Sequence, residues 1–220
     1  MSQELLQEIE GLRANFIKYT RKAFRMLPRL DRPQILDIGC GSGAPTIELA
    51  KMSDGEITGI DIDQSSLDEL NRKIQEEGLS DRVKAMKISL FEMDFPDETF
   101  DIIWSEGSIP AIGFERGLKE WRRLLKPNGF LVIHDQTRNP SELSRISSHG
   151  YKLAKHFSLP EDAWWTEFYR PLEKRIGDLR KKCENDPETL KLLKKFRNEI
   201  DMVKENPRIF ASAFYIIQKL

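Results

Sequence analysis

Residues 35–50 read ILDIGCGSGAPTIELA: an apolar run closes on Asp37, and Gly39, Gly41 and Gly43 follow at alternate positions around Cys40. Glycine reaches the left-handed backbone and lets a ligand approach bare main chain. A glycine turn between a strand and a helix aims backbone N–H groups at whatever docks there. In an open α/β sheet that place, at the carboxyl ends of the strands, is the ligand crevice. The spacing is not the G-x-G-x-x-G that seats a pyrophosphate on a helix N-terminus. Asp37, two residues before the first glycine, is a poor neighbour for pyrophosphate and a good one for an ammonium group. Asp61 ends a second run, EITGID, where a carboxylate accepts two ribose hydroxyls. The pair asks for a nucleoside-type ligand with a cationic end.

More chemistry lies further along. Glu106 ends FDIIWSEG, and His134 and Asp135 end FLVIHD. Glu106 is expected at the crevice, touching the ligand's amine or a second substrate; its alternative is to brace a neighbouring loop. His134 has the pKa to take a proton from an acceptor hydroxyl or amine, and its alternative is a strand-end hydrogen bond to a loop. Glu106 and Asp135 could offer oxygens to Mg²⁺, yet no converging oxygen set is visible, so no metal is expected. Trp164, Trp165, Phe168 and Tyr169 are the densest aromatic cluster, able to wall an acceptor pocket or to pack helices onto a core.

These residues need a scaffold. Leu5, Ile9, Leu12 and Phe16 recur at helical spacing, so 3–27 is expected to be one or two helices ending before Pro28. Strands are expected at QILDI, EITGID, RVKAMKI, FDIIWSEG and FLVIHD. Helices are expected over PTIELAKM, QSSLDELNRKIQEEG and GFERGLKEWRRLLKPNG, the last closing at Pro127 and Gly129. Strand and helix alternating in this way specify a mostly parallel sheet with helices on both faces. YKLAKHFSLP reads as a sixth strand and RIFASAFYIIQKL as a seventh. Two charged helical segments between them, within 160–206, form an insertion. The whole is expected to be one domain: a helical cap over 1–30, a cofactor-binding core over 33–135 and the insertion.

The totals narrow the class. The chain has 220 residues and a net charge of −1, so no global basic field attracts nucleic acid or an anionic membrane. No apolar run approaches the ~20 residues of a membrane helix. Lys and Glu interleave through 170–205, as on a solvated helix face or a dimer face. Cys40 and Cys183 suggest no disulfide framework. The expectation is a cytoplasmic protein, monomer or homodimer, with a small-molecule partner.

Taken in order, DIGCGSG, GIDID, SLFEMDFPDETFDIIWSEGSI and LKEWRRLLKPNGFLVIHD resemble the motifs of class I S-adenosylmethionine-dependent methyltransferases. The segment WSEGSIPAIGFERG looks like that of small methyltransferases of the ubiquinone/menaquinone-biosynthesis-like group. The resemblance implies a Rossmann-like seven-stranded sheet whose last strand is antiparallel, S-adenosylmethionine as cofactor, S-adenosylhomocysteine as product, and a small-molecule acceptor. By it, Gly39, Cys40, Gly41 and Gly43 form the turn under the methionine part, and Asp37 orients the ammonium. Asp61 takes the ribose, Ile62 packs on the adenine, and Ser89 and Leu90 hold its edge. Ser89 stands where the family often has Asp. Glu106 joins the cofactor set or acts with His134 in catalysis, Trp164, Trp165 and Tyr169 face the acceptor, and Arg21 reaches the cofactor carboxylate. Two other readings stay open: a nicotinamide-dependent oxidoreductase on a similar sheet, and a protein that binds S-adenosylmethionine without turning it over.

Overall fold

The computed structural model describes residues 2–182 and 187–220, the side chains of 2–7, 178–182 and 188 excepted; Cys183 lies outside them. The chain begins with α1 (Ser2–Arg13) and α2 (Ile17–Arg25). Then come β1 (Gln34–Ile38), α3 (Ala44–Met52), β2 (Glu56–Asp61), α4 (Gln64–Glu76), β3 (Val83–Lys87) and β4 (Phe100–Glu106). The next elements are α5 (Ile109–Ile112), α6 (Phe114–Trp121), β5 (Leu125–Gln136), α7 (Pro140–Ser144) and β6 (Tyr151–Ser158). The chain closes with α8 (Arg170–Lys182), α9 (Pro187–Glu205) and β7 (Ser212–Lys219). Two compact units result, Met1–Lys18 with Leu159–Ala211, and Tyr19–Ser158 with Ser212–Leu220. The expected cap over 1–30 falls across both.

The larger unit is a seven-stranded sheet in the order β3-β2-β1-β4-β5-β7-β6. β1 to β5 pair in parallel, and β7 runs antiparallel to both its neighbours, as expected for the last strand. β1 and β4 occupy the middle and are apolar on both faces because helices cover both. On one face Leu36, Ile38, Ile103, Leu131 and Ile133 pack with Leu118 and Trp121 of α6. On the other, the ring of Phe24 from α2 lies 6.3 Å from that of Trp104 on β4.

Local chemistry sets the helix ends. Gly43 caps α3 at φ +83°, with Pro45 in the first turn, where no N–H is needed. Asp63 caps α4 by accepting the Ser66 N–H at 2.9 Å. The helix predicted over 113–129 stops at Trp121 and is followed by a 3₁₀ turn, Arg122–Leu124. Leu125 already pairs with Phe100, and the register then shifts so that Ile102 meets Phe130. Pro127 cannot sit in a helix interior, and Asn128 at φ +63° turns the chain out and back.

The smaller unit is helical. Its aromatic residues pack on one another: Phe16 and Trp164 have ring centroids 4.4 Å apart, and Tyr169 stacks on Phe210 at 5.3 Å. Trp165–Tyr169 is a π-helical turn that leads into α8.

Candidate functional site

Strand register gathers the chemistry. Asp37 lies opposite Trp104, and Glu106 opposite His134, which is opposite Phe214. The carboxyl ends of β1, β2, β4 and β5 therefore bring Asp37, Asp61, Glu106 and His134 to one end of the sheet.

The glycine turn is built from its own backbone. The N–H groups of Gly39 and Cys40 both donate to Ile60 O, at 2.9 and 3.0 Å. Gly39, Gly41 and Gly43 all have positive φ, as their type allows. A Cβ on Gly39 would lie 2.5 Å from Ser108 Cβ, and one on Gly43 only 2.1 Å from Leu70 Cδ1; one on Gly41 would meet nothing within 4 Å. Gly39 and Gly43 are thus demanded by packing, while Gly41 faces open space. Ser108 locks the turn to β4: its hydroxyl donates to Ile38 O at 2.7 Å and bonds the Ser105 hydroxyl at 2.6 Å. Cys40 is buried against Gly59, and burial raises its thiol well above the usual range, so it is packing rather than a nucleophile.

Asp61 holds the turn from β2. One carboxylate oxygen accepts Gly41 N–H and the other Asp63 N–H, each at 2.9 Å. Each oxygen keeps a second lone pair. Ile62 beside it is 68% exposed. The Ser89 hydroxyl accepts the Phe91 N–H at 3.2 Å, so it shapes the loop after β3, and Leu90 is partly buried against the core.

Asp37 and Glu106 are the unusual pair. Asp37 is 2% exposed and accepts the Thr46 hydroxyl at 2.6 Å. Glu106 Oε1 accepts the Trp104 indole N–H and the Thr20 hydroxyl, both at 2.8 Å. Burial pushes each carboxyl up to about 7, against the lowering effect of these bonds. Asp61 adds to the rise at Asp37, and Asp37 to that at Glu106. Among the described residues no Lys or Arg pairs with either. Thr20, Thr46, Trp104 and Ser108 are partners the sequence did not reveal. Thr46 lies one turn into the helix after the glycines, which is a readable signal; Thr20 has none.

His134 Nδ1 is 3.8 Å from Glu106 Oε2, and its Nε2 is 3.0 Å from the Ser212 hydroxyl. Its ring stacks on Phe214 at 4.4 Å and 3°. Burial lowers its pKa to about 4, so the imidazole is neutral near neutral pH. Asp135 is paired with Arg138. Arg21 is engaged by Glu48 through two bonds, at 2.6 and 3.0 Å. Trp164 and Tyr169 belong to the aromatic cluster of the smaller unit, and Trp165 lies under Lys204, 5.7 Å from ring centroid to Nζ. Among the described residues no group of His, Cys, Asp and Glu is placed to hold a metal ion, and no helix is long and apolar enough to cross a membrane.

This sheet order, with its reversed β7, is the class I methyltransferase fold. Residues 35–129 match the model of the family described as a methyltransferase domain. A sterol 24-C-methyltransferase of Gibberella zeae is 33% identical over 103 residues, which are 46% of this chain and 27% of that protein. The chain thus matches only about a quarter of that relative. In structure it is similar to a SAM-dependent methyltransferase of Geobacter sulfurreducens in complex with S-adenosylhomocysteine, with TM-score 0.79, 16% identity, and 92% and 91% of the two chains covered. It is similar also to the cyclase SpnF, with TM-score 0.76, 19% identity, and 92% and 80% covered.

Proposed function

We propose that the protein transfers a methyl group from S-adenosylmethionine to a small-molecule acceptor. The observation that carries this reading is the glycine turn flanked by two carboxylates, with Gly41 facing open space and Asp37 and Asp61 on either side. The residues fit the cofactor. Open main chain at Gly41 admits close approach, and the buried Asp37 has no Lys or Arg partner among the described residues, a place an ammonium group would fill. Asp61 retains lone pairs for two ribose hydroxyls, and Ile62 offers an exposed apolar face for a purine. The cofactor supplies an electrophilic methyl on a sulfonium, whose leaving group is a neutral thioether. The chain's task is therefore to bind, align and exclude water. A dinucleotide suits the turn less, because two carboxylates would face its pyrophosphate.

The names of the relatives support methyl transfer, and Cys40 as a free thiol suits the expected cytoplasmic setting. The likeness to a cyclase favours one rival, a binder of the same cofactor that performs other chemistry on the same fold. The test is incubation of the purified protein with methyl-labelled S-adenosylmethionine and a low-molecular-weight extract of its source cells. Labelled small molecules and S-adenosylhomocysteine in equal amounts are expected. Tight cofactor binding with no labelled product would favour the rival.

A further inference from the structure

Other carboxylates of the larger unit have cationic or backbone N–H partners. Asp135 has Arg138, and Glu48 has Arg21. Asp61 is anchored by two N–H groups. Glu106 differs. Both its bonds come from neutral donors, Trp104 and Thr20, and both fall on Oε1. Oε2 is left toward His134 at 3.8 Å. Behind it the imidazole stacks on Phe214 and meets the Ser212 hydroxyl through Nε2, with Nδ1 toward Glu106. Gly107 follows at φ +75°, with nothing within 4 Å of where a Cβ would stand, so the chain just beyond Glu106 borders open space.

Resting on the methyl-transfer reading, we propose that Glu106 accepts the proton of the methyl acceptor, with His134 as its positioning residue, and that the acceptor is a hydroxyl, an N–H amine or an acidic C–H compound. The step balances. The acceptor atom's electron pair forms the new bond to the methyl carbon as the C–S bond breaks and its pair returns to sulfur. The acceptor's proton passes to the Glu106 carboxylate, and the sulfonium charge disappears with the carboxylate's. The groups that face Glu106 are Asp37 from β1, His134 from β5, the Trp104 N–H from β4 and the Thr20 hydroxyl from α2. None of these is a cation near neutrality, no Lys or Arg among the described residues pairs with Glu106, and burial raises its carboxyl to about 7, the range in which a proton acceptor works.

The experiment repeats the labelled-cofactor incubation with Glu106→Gln, which keeps an acceptor oxygen for Trp104 and Thr20. Expected is a loss of about 10²–10⁴-fold in product formation, with S-adenosylhomocysteine affinity retained within a few fold. In the wild type, kcat/KM should rise with pH through neutrality. His134→Asn should shift that limb, whereas a merely structural histidine would lower the rate at every pH without moving it. The wild-type product provides a readout that needs no variant: its methylated atom must have carried hydrogen. A sulfonium or quaternary ammonium product, or Glu106→Gln turning over like wild type, overturns the proposal while leaving methyl transfer intact. No labelled product from the wild type instead rejects the methyl-transfer reading itself.

Discussion

The carboxylate of Asp61 accepts the backbone N–H of Gly41 at 2.9 Å, tying the end of the second strand to the middle of the glycine turn. One side chain therefore shapes the loop and offers its remaining lone pairs to a ligand. Asp61→Ala should cost both. S-adenosylhomocysteine affinity is expected to fall at least tenfold, since hydrogen bonds to a charged group contribute about 1.5–3 kcal/mol each. Asp61→Asn keeps one acceptor oxygen and should fall between. Calorimetric titration of the two variants gives the order; equal affinity across the series would remove Asp61 from the site.

Two glycines of the same turn should separate packing from binding. Gly39→Ala drives a Cβ into Ser108 at 2.5 Å and at φ +73°, so Tm should drop by many degrees. Gly41→Ala at φ +52° meets open space, and its cost is the left-handed backbone alone, about 1–2 kcal/mol. It should fold, yet bind S-adenosylhomocysteine at least tenfold more weakly. Normal binding by folded Gly41→Ala would mean that the ligand does not approach this backbone.

The buried carboxylates predict the pH response. Asp37 and Glu106 titrate at about 7 in the folded protein, above their unfolded values of 3.8 and 4.5. Between those values the folded chain keeps protons the unfolded chain has lost, so stability falls as pH rises toward 7. His134 opposes this. Its folded value of about 4 lies below 6.5, so between the two the unfolded chain binds the extra proton and stability rises with pH. Asp37→Asn removes one unpaired buried charge, so its Tm at pH 8 should exceed the wild type's. The same change should weaken S-adenosylhomocysteine binding. In the wild type that affinity should increase about tenfold from pH 6 to pH 8, as one group near 7 ionises to meet the ligand's ammonium. Flat affinity over that range would argue that neither carboxylate meets a cation.

Ile62 is 68% exposed and contributes little to the core. Ile62→Ala should leave Tm nearly unchanged and reduce S-adenosylhomocysteine affinity roughly fivefold, the equivalent of ~1 kcal/mol of apolar burial. A drop in Tm without a change in affinity would assign Ile62 to packing.

The central strands were legible because burial on both faces writes itself as apolar runs, QILDI and FDIIWSE. The glycine turn was legible because glycine takes its left-handed backbone without strain, and Asp37 and Asp61 were legible as carboxylates closing such runs. The start of β5 was not. Leu125 continues the helical spacing of Leu118 and Trp121, and only its pairing with Phe100 shows that it has left the helix. The surroundings of Glu106 were hidden for a different reason: Thr20 lies 86 positions away, and no local pattern announces a hydrogen bond made by packing α2 on the sheet. Trp104 is core; that its N–H also holds Glu106 follows from both side chains sharing one face of β4.

In the proposed function the carboxylate-flanked turn holds S-adenosylmethionine. The most direct test is calorimetric titration of the purified protein with S-adenosylhomocysteine, with NADH in parallel and Asp61→Ala as control. Micromolar binding of S-adenosylhomocysteine that is lost in Asp61→Ala is expected, and none of NADH. Clear binding of NADH with no binding of S-adenosylhomocysteine would contradict it and return the turn to a nicotinamide cofactor.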